Sequence, residues 1–190
     1  MKDFIKQRFQ ESIRVKEETL ETQCDNIILS VEAIIDALKQ NNKIIFFGNG
    51  GSAADSQHIA AEFIGRFQKE RQSLPAMALT TDTSILTALG NDYGFDMIFK
   101  RQVEGLGRRG DVAVAISTSG NSKNVIEAVT QAKKMGIKTL GFTGGNGGKL
   151  APLCDVSLVV PSSVTARIQE THICVLHIIC ELVEDKLSKK

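Results

Sequence analysis

Five short apolar runs, each closed by Gly, Ser, Thr or Pro, constrain this chain more than any other feature. They are KIIFF at 43–47, AMALT at 76–80, DVAVAIS at 111–117, IKTLGFTG at 137–144 and DVSLVVP at 155–161. They are apolar on both faces and rich in β-branched residues, so each suits a parallel strand covered on both sides. Stretches with helical spacing separate most of them, notably 52–66, 123–135 and 164–187. Strands that need cover on both faces, alternating with helices that can supply it, specify a doubly wound three-layer αβα sandwich on a five-stranded parallel sheet.

Upstream, residues 3 to about 40 contain no Gly or Pro and carry Phe4, Ile5, Phe9 and Ile13, then Ile27, Ile28, Val31, Ile34, Ile35 and Leu38 at helical spacing. One or two helices are expected there. A chain of 190 residues can bury one substantial core, so 1–190 is read as a single domain with a helical extension at 1–40.

The 23 Lys and Arg residues nearly balance the 22 Asp and Glu, and no block of like charge occurs, so nucleic acid is not an expected partner. The opening MKDFIKQRFQESIRVKEETLETQ is charged throughout. It reads as neither a secretory signal nor a membrane span, so a cytosolic protein with no membrane partner is expected. Four scattered cysteines, Cys24, Cys154, Cys174 and Cys180, form no C-x-x-C pair and are expected to be buried free thiols. With no Trp and one Tyr, Tyr93, there is little aromatic surface for stacking bases or Pro-rich peptides. The expected ligand is a small molecule.

In a doubly wound sheet, ligands bind beyond the carboxyl ends of the strands. That rule selects GNGGS at 48–52, STSGNS at 117–122 and FTGGNGG at 142–148. None contains the G-x-G-x-x-G or G-x-x-x-x-G-K-[ST] fingerprint, which argues against dinucleotides and nucleoside triphosphates. STSGNS offers the hydroxyls of Ser117, Thr118, Ser119 and Ser122, a tight turn at Gly120, and a helix from about Lys123. Neutral donors at a helix N-terminus suit a phosphate, although the motif alone equally reads as an ordinary Ser and Gly turn with an N-cap; its place after a strand, with a similar loop after the first strand, favours the ligand. Asn49, Gly50, Gly51 and Ser52 are placed to bind sugar hydroxyls or close over the phosphate. FTGGNGG reads as a flexible connection. GND at 90–92 reads as a turn between two helical stretches, where Asn91 and Asp92 alone would be structural.

His58 and Glu62 are four residues apart and share a helix face. Such a pair can hold a divalent metal or pair an acid with a base, although an isolated one is more often a solvent-facing hydrogen bond. The small apolar neighbours Ala53, Ala54, Ile59, Ala60, Ala61 and Phe63 indicate a packed helix beside the first loop. RIQETHICVLHIICELVE at 167–184 reads as an amphipathic helix with Ile168, Val175, Leu176, Ile179 and Leu182 facing the core. It also carries Gln169, His172 and His177. Gln169 and His177 are eight residues apart, roughly 12 Å along a regular helix, too far to meet one ion easily. Either Gln169 precedes the helix, or the side chains reach in from opposite sides, or subunits contribute separately. Each histidine taken singly is more often a satisfied core residue.

Taken together, FFGNGGSAADSQHIAAEFIGRF, GNDYGFD, STSGNS and RIQETHICVLHIICELVE closely resemble the bacterial phosphoheptose isomerases of the sugar isomerase (SIS) domain superfamily. The resemblance spans nearly the whole chain. It implies a flavodoxin-like SIS domain whose N-terminal helices take part in oligomerisation. It further implies conversion of sedoheptulose 7-phosphate to D-glycero-D-manno-heptose 7-phosphate through an enediol, the entry to heptose for surface glycans, by a homotetramer with active sites between subunits. The matching positions imply one zinc ion per subunit on His58, Glu62, Gln169 and His177. They imply substrate contacts from Asn49, Gly50, Gly51, Ser52, Glu62, Asn91, Asp92, Ser117, Thr118, Ser119, Ser122 and Gln169. Glu62 is expected to be the base and His177 the acid. The superfamily also holds a non-catalytic replication-initiator-associating protein, sugar-phosphate-sensing regulators and isomerases of other phosphosugars. The complete acid–base set separates this chain from the first, and the absence of a DNA-binding segment from the second.

Overall fold

The computed structural model describes residues 1–188. A single helix α1 (Lys2–Lys39) leads into strand β1 (Ile44–Gly48), helix α2 (Gly51–Ile64) and the short strand β2 (Ala76–Ala78). Helices α3 (Thr83–Tyr93) and α4 (Ile98–Leu106) follow, then β3 (Val112–Ile116), α5 (Lys123–Lys134), β4 (Lys138–Gly144), β5 (Val156–Val160) and α6 (Thr165–Leu187). Nothing interrupts α1 because its sequence contains no Gly or Pro; it ends where Asn41 takes a φ of 60°.

The five strands are all parallel in the order β2-β1-β3-β4-β5, with Ile44 opposite Val112 and Gly48 opposite Ile116. This is the flavodoxin-like order. Side chains on a strand alternate between faces, so one strand feeds two cores. Ile44, Phe46, Val112, Val114, Leu140 and Phe142 pack with α1, α2 and α6, whereas Ile45, Phe47, Ala113 and Ala115 pack with Phe99, Val103, Val125 and Val129 of α4 and α5. β5 departs from the expected two-sided burial: Ser157 and Val159 are only half-buried, as befits an edge. Its exposed edge is managed by α1, where Gln23 Oε1 accepts the Val159 N–H at 3.1 Å.

Several expectations are corrected. Leu182 of α6, expected to face the core, is exposed, and Cys24 is an exposed rather than a buried thiol; Phe4, Ile5, Phe9, Ile13 and Ile28 of α1 are exposed as well. Asn91 and Asp92 lie in the last turn of α3, not in a turn between helices; the chain reverses at Gly94, with φ 84°. Asp82 starts α3 by accepting the Ile85 N–H at 2.9 Å, which outweighs the turn character of GND. Among the described residues no helix is long and apolar enough to cross a membrane.

His172 is the core histidine. Its Nε2–H donates to the Thr143 carbonyl at 2.9 Å and its ring meets Phe142 edge-on. Burial pushes its pKa down to about 4, against 6.5 for a free imidazole. The unfolded chain therefore takes up this proton first as pH falls. The stability contribution is whole above about pH 6.5 and is lost as pH falls through 4, at a cost of about 1–2 kcal/mol by pH 5. Urea midpoints measured from pH 7 to 5 are expected to fall in wild type and to fall less in His172→Gln.

Candidate active site

The first loop opens at the point where β1 and β3 send their following helices to opposite faces of the sheet. Gly48 is required there because a Cβ would stand 2.7 Å from both the Ile116 carbonyl oxygen and Ser52 Cβ. Asn49 crosses the crevice and exchanges two amide hydrogen bonds with Asn124 at the start of α5, at 2.9 and 2.8 Å. Asn124 is buried and also accepts the Val125 N–H, so it locks the first loop to the second. Nothing in the sequence singled it out, since its partner lies 75 positions away.

The second loop is held from both ends. Ser117 donates its N–H to Phe142 O at 2.9 Å, and the Ser117 and Ser122 hydroxyls lie 3.0 Å apart. Ser122 occupies the N-cap of α5 without capping it through its side chain, so its hydroxyl belongs to the loop. Ser119 is exposed and Thr118 half-buried, both available to a ligand.

The third loop is not the flexible connection expected. Gly120 O accepts the Leu150 N–H at 2.9 Å, and Asn121 Oδ1 the Lys149 N–H at 3.2 Å. Gly145, Gly147 and Gly148 all have positive φ. Their glycines serve close backbone approach rather than freedom. Gly145 and Asn146 line a recess of about 190 Å³ together with Thr118, Ser119, Ser162 and Thr165. Gly120 itself has φ +63°, and a Cβ there would lie 2.2 Å from the Gly147 carbonyl oxygen. Gly120→Ala is expected to cost about 1–3 kcal/mol of stability, read as a lower melting temperature.

Beside these loops α2 faces α6. Asp55, His58 and Glu62 share one face of α2 at successive turns. His58 Nε2 lies 2.9 Å from His177 Nε2, with the rings edge-on at 86°, and 3.5 Å from Glu62 Oε1. For the two nitrogens to attract, one must carry hydrogen and the other a lone pair. Gln169 donates its Nε2 to both oxygens of Asp55, at 2.6 and 2.8 Å. Gln169 lies within α6, so the possibility that it precedes the helix is removed. The wide spacing on α6 is met by two successive contacts along α2. His58, Glu62 and His177 come together; Gln169 is bonded instead to Asp55.

Asp55 escaped the sequence reading although it lies one turn before His58. Its residue is 5% exposed. Burial raises its carboxyl pKa, opposed by the Gln169 hydrogen bond and by positive charge on His58 and His177. Asn91 and Asp92 are exposed and bonded to each other at 2.8 Å; among the described residues no hydrogen bond joins them to the loops. Gly51 approaches Gln169, whose Cγ would stand 3.5 Å from a Cβ on Gly51, and Ser52 is buried in the first turn of α2.

Among the described residues no three imidazole, carboxylate or thiol groups are arranged to hold a metal ion. The nearest set is His58 Nε2, His177 Nε2 and Glu62 Oε1. Two nitrogens on one tetrahedral zinc stand about 3.3 Å apart, given Zn–N bonds of about 2.0–2.1 Å, so the 2.9 Å pair would have to part slightly. In kind, two imidazoles and a carboxylate on packed helices are a zinc donor set.

Residues 8–144 match the family model described as SIS domain. The chain is 55% identical over 190 residues to a phosphoheptose isomerase of Aquifex aeolicus (strain VF5), covering all of both chains. It superposes on the structure of phosphoheptose isomerase GmhA from Neisseria gonorrhoeae with a TM-score of 0.92 at 48% identity, covering 97% of this chain and 98% of that one. The structure of a phosphoheptose isomerase from Francisella tularensis gives 0.93 at 38% identity, over 96% and 97%.

Proposed function

Because this chain belongs to the SIS-domain phosphoheptose isomerases, we propose that it converts sedoheptulose 7-phosphate to D-glycero-D-manno-heptose 7-phosphate through an enediol, with Glu62 as base and His177 as acid. The observation that carries this reading is the meeting of Glu62 and His177 at His58, on two helices beside a hydroxyl-lined loop at the mouth of the sheet.

The reaction moves the carbonyl from C2 to C1. Ser117, Thr118, Ser119 and Ser122, with the start of α5, hold the phosphate by neutral donors, which leaves the reacting end free to reach α2 and α6. The Glu62 carboxylate removes one proton from C1 while His177 donates a proton to the C2 oxygen, forming the enediol. Glu62 then returns its proton to C2, and His177 recovers a proton from the C1 hydroxyl as the aldehyde forms. No net proton is gained or lost. Asn49 to Ser52 close over the sugar hydroxyls.

His58, Glu62 and His177, with Gln169 brought closer, would hold a zinc ion, which when bound supplies Lewis-acid polarisation of a substrate oxygen; Glu62 would keep its second carboxylate oxygen and His177 its second ring nitrogen for proton transfer. Asn91 and Asp92 fit a substrate role in a homotetramer whose sites lie between subunits, with the exposed apolar half of α1 as part of the contact. The product would feed heptose into surface glycans from the cytosol.

The test is NMR of the purified protein with sedoheptulose 7-phosphate, with and without a chelator. Aldose anomeric signals are expected to replace those of the C1 methylene, more slowly after chelation. An unchanged ketose would overturn the reading; unchanged rates after complete metal removal would overturn the part assigned to zinc.

A further inference from the structure

The segment between α2 and β2, residues 65–74, is fastened across the candidate site by one buried carboxylate. Glu184, seven residues beyond His177 on α6, accepts the Phe67 N–H at 3.0 Å and Arg71 Nε at 3.0 Å on one oxygen. Its other oxygen accepts the Gln68 and Lys69 N–H groups at 2.7 and 2.8 Å. The Arg71 guanidinium continues to the carbonyls of Glu62, Phe63 and Gly65, which the end of α2 leaves without helical partners. Segment, α2 and α6 are thereby tied at one point.

The consequence falls on His177. Phe67 lies over the His177 ring with centroids 5.6 Å apart and planes inclined by 22°. His58 meets the same ring edge-on, with centroids 5.1 Å apart. Stacking fixes the plane of an imidazole, and the hydrogen bond then fixes its rotation in that plane. Among the described residues no hydrogen bond or ring contact joins Phe67 to the loops that follow β1 and β3.

We propose that Phe67 is a positioning residue for His177: its ring, held by the Glu184 clamp, sets the imidazole plane so that Nε2 faces His58 and Glu62. The proposal rests on the reading above in giving His177 a proton to move. A misaligned acid slows the chemical step without weakening the phosphate contacts.

Phe67→Leu keeps an apolar side chain and leaves the backbone bonds to Glu184 intact. With sedoheptulose 7-phosphate it is expected to lower kcat roughly 10- to 100-fold with KM within about twofold of wild type, while Phe67→Tyr restores kcat. In 13C-histidine-labelled protein the His177 ring-proton signals, assigned with His177→Asn, are expected to move downfield in Phe67→Leu as ring shielding is lost, and His172 to stay. Wild-type kcat in Phe67→Leu, equal losses in Leu and Tyr variants, or an unmoved His177 signal would each overturn the proposal. If wild type fails to isomerise the heptulose, the functional reading falls, and NOEs between the His58 and His177 ring protons still test the positioning: they are expected to weaken in Phe67→Leu, and an unchanged pattern would overturn it.

Discussion

Glu62→Gln is expected to lower kcat by about 10²- to 10⁴-fold, the usual range for loss of a general base, with little change in affinity for the phosphate. The amide has the size of the carboxylate and can still meet His58, 3.5 Å away on the same helix, while the α2–α6 contact is made by His58 and His177 and does not depend on Glu62. It cannot accept a proton from carbon. The loop proposed to hold the phosphate joins β3 to α5, and among the described residues Glu62 makes no hydrogen bond to it. Steady-state kinetics with sedoheptulose 7-phosphate, alongside phosphate-dependent binding of the substrate, separate the two effects. Near-wild-type turnover would place the base elsewhere.

Glu184→Ala is expected to destabilise the fold by about 3–5 kcal/mol, because Arg71 would remain buried without its counter-charge. The pair is inaccessible, with side-chain exposures of 7% for Arg71 and 1% for Glu184. Three backbone N–H groups would also lose their acceptor. For a chain of this size the melting temperature should drop by roughly 10 °C or more. Burial alone would raise the Glu184 pKa, but the N–H groups of Gln68, Phe67 and Lys69 and the Arg71 charge outweigh it and hold it below 4.5. A depressed carboxyl stabilises the native state above its unfolded pKa. That contribution should fade as pH falls below about 4.5, so the variant and wild type should converge in acid. Thermal melts across pH 3 to 7 would show this; a constant difference would mean that the charge is not what matters.

The sheet was readable because its strands are apolar on both faces, and each ended at the residue types that open a loop. Where reading failed, the cause was tertiary. The glycines of FTGGNGG suggest freedom until Gly120 is seen to touch Gly147 and Gly148. GND has turn character, but Asp82 starts a helix that runs through it. The apolar residues on the first half of α1 mark a face, and helical spacing cannot say whether this chain or another covers it. At the site, His58 with Glu62 was legible from local spacing and His177 from its helix. Asp55 was within reach of the same spacing argument. Asn124, Phe67 and Glu184 were not, since each acts on a partner distant in sequence. Gln169 illustrates the opposite limit: its helix was evident, but only the packing of α6 on α2 reveals that its amide is engaged by Asp55.

The central claim is that a carboxylate with access to water carries the proton between two carbons. The Glu62 side chain is 22% exposed, so its proton can exchange with solvent during the life of the enediol. Isomerisation of sedoheptulose 7-phosphate in D₂O, stopped early and read by NMR, tests this directly. The account predicts an aldose carrying deuterium at C2. An aldose formed with no solvent deuterium, while label placed at C1 passes wholly to C2, would indicate direct hydride transfer and contradict it.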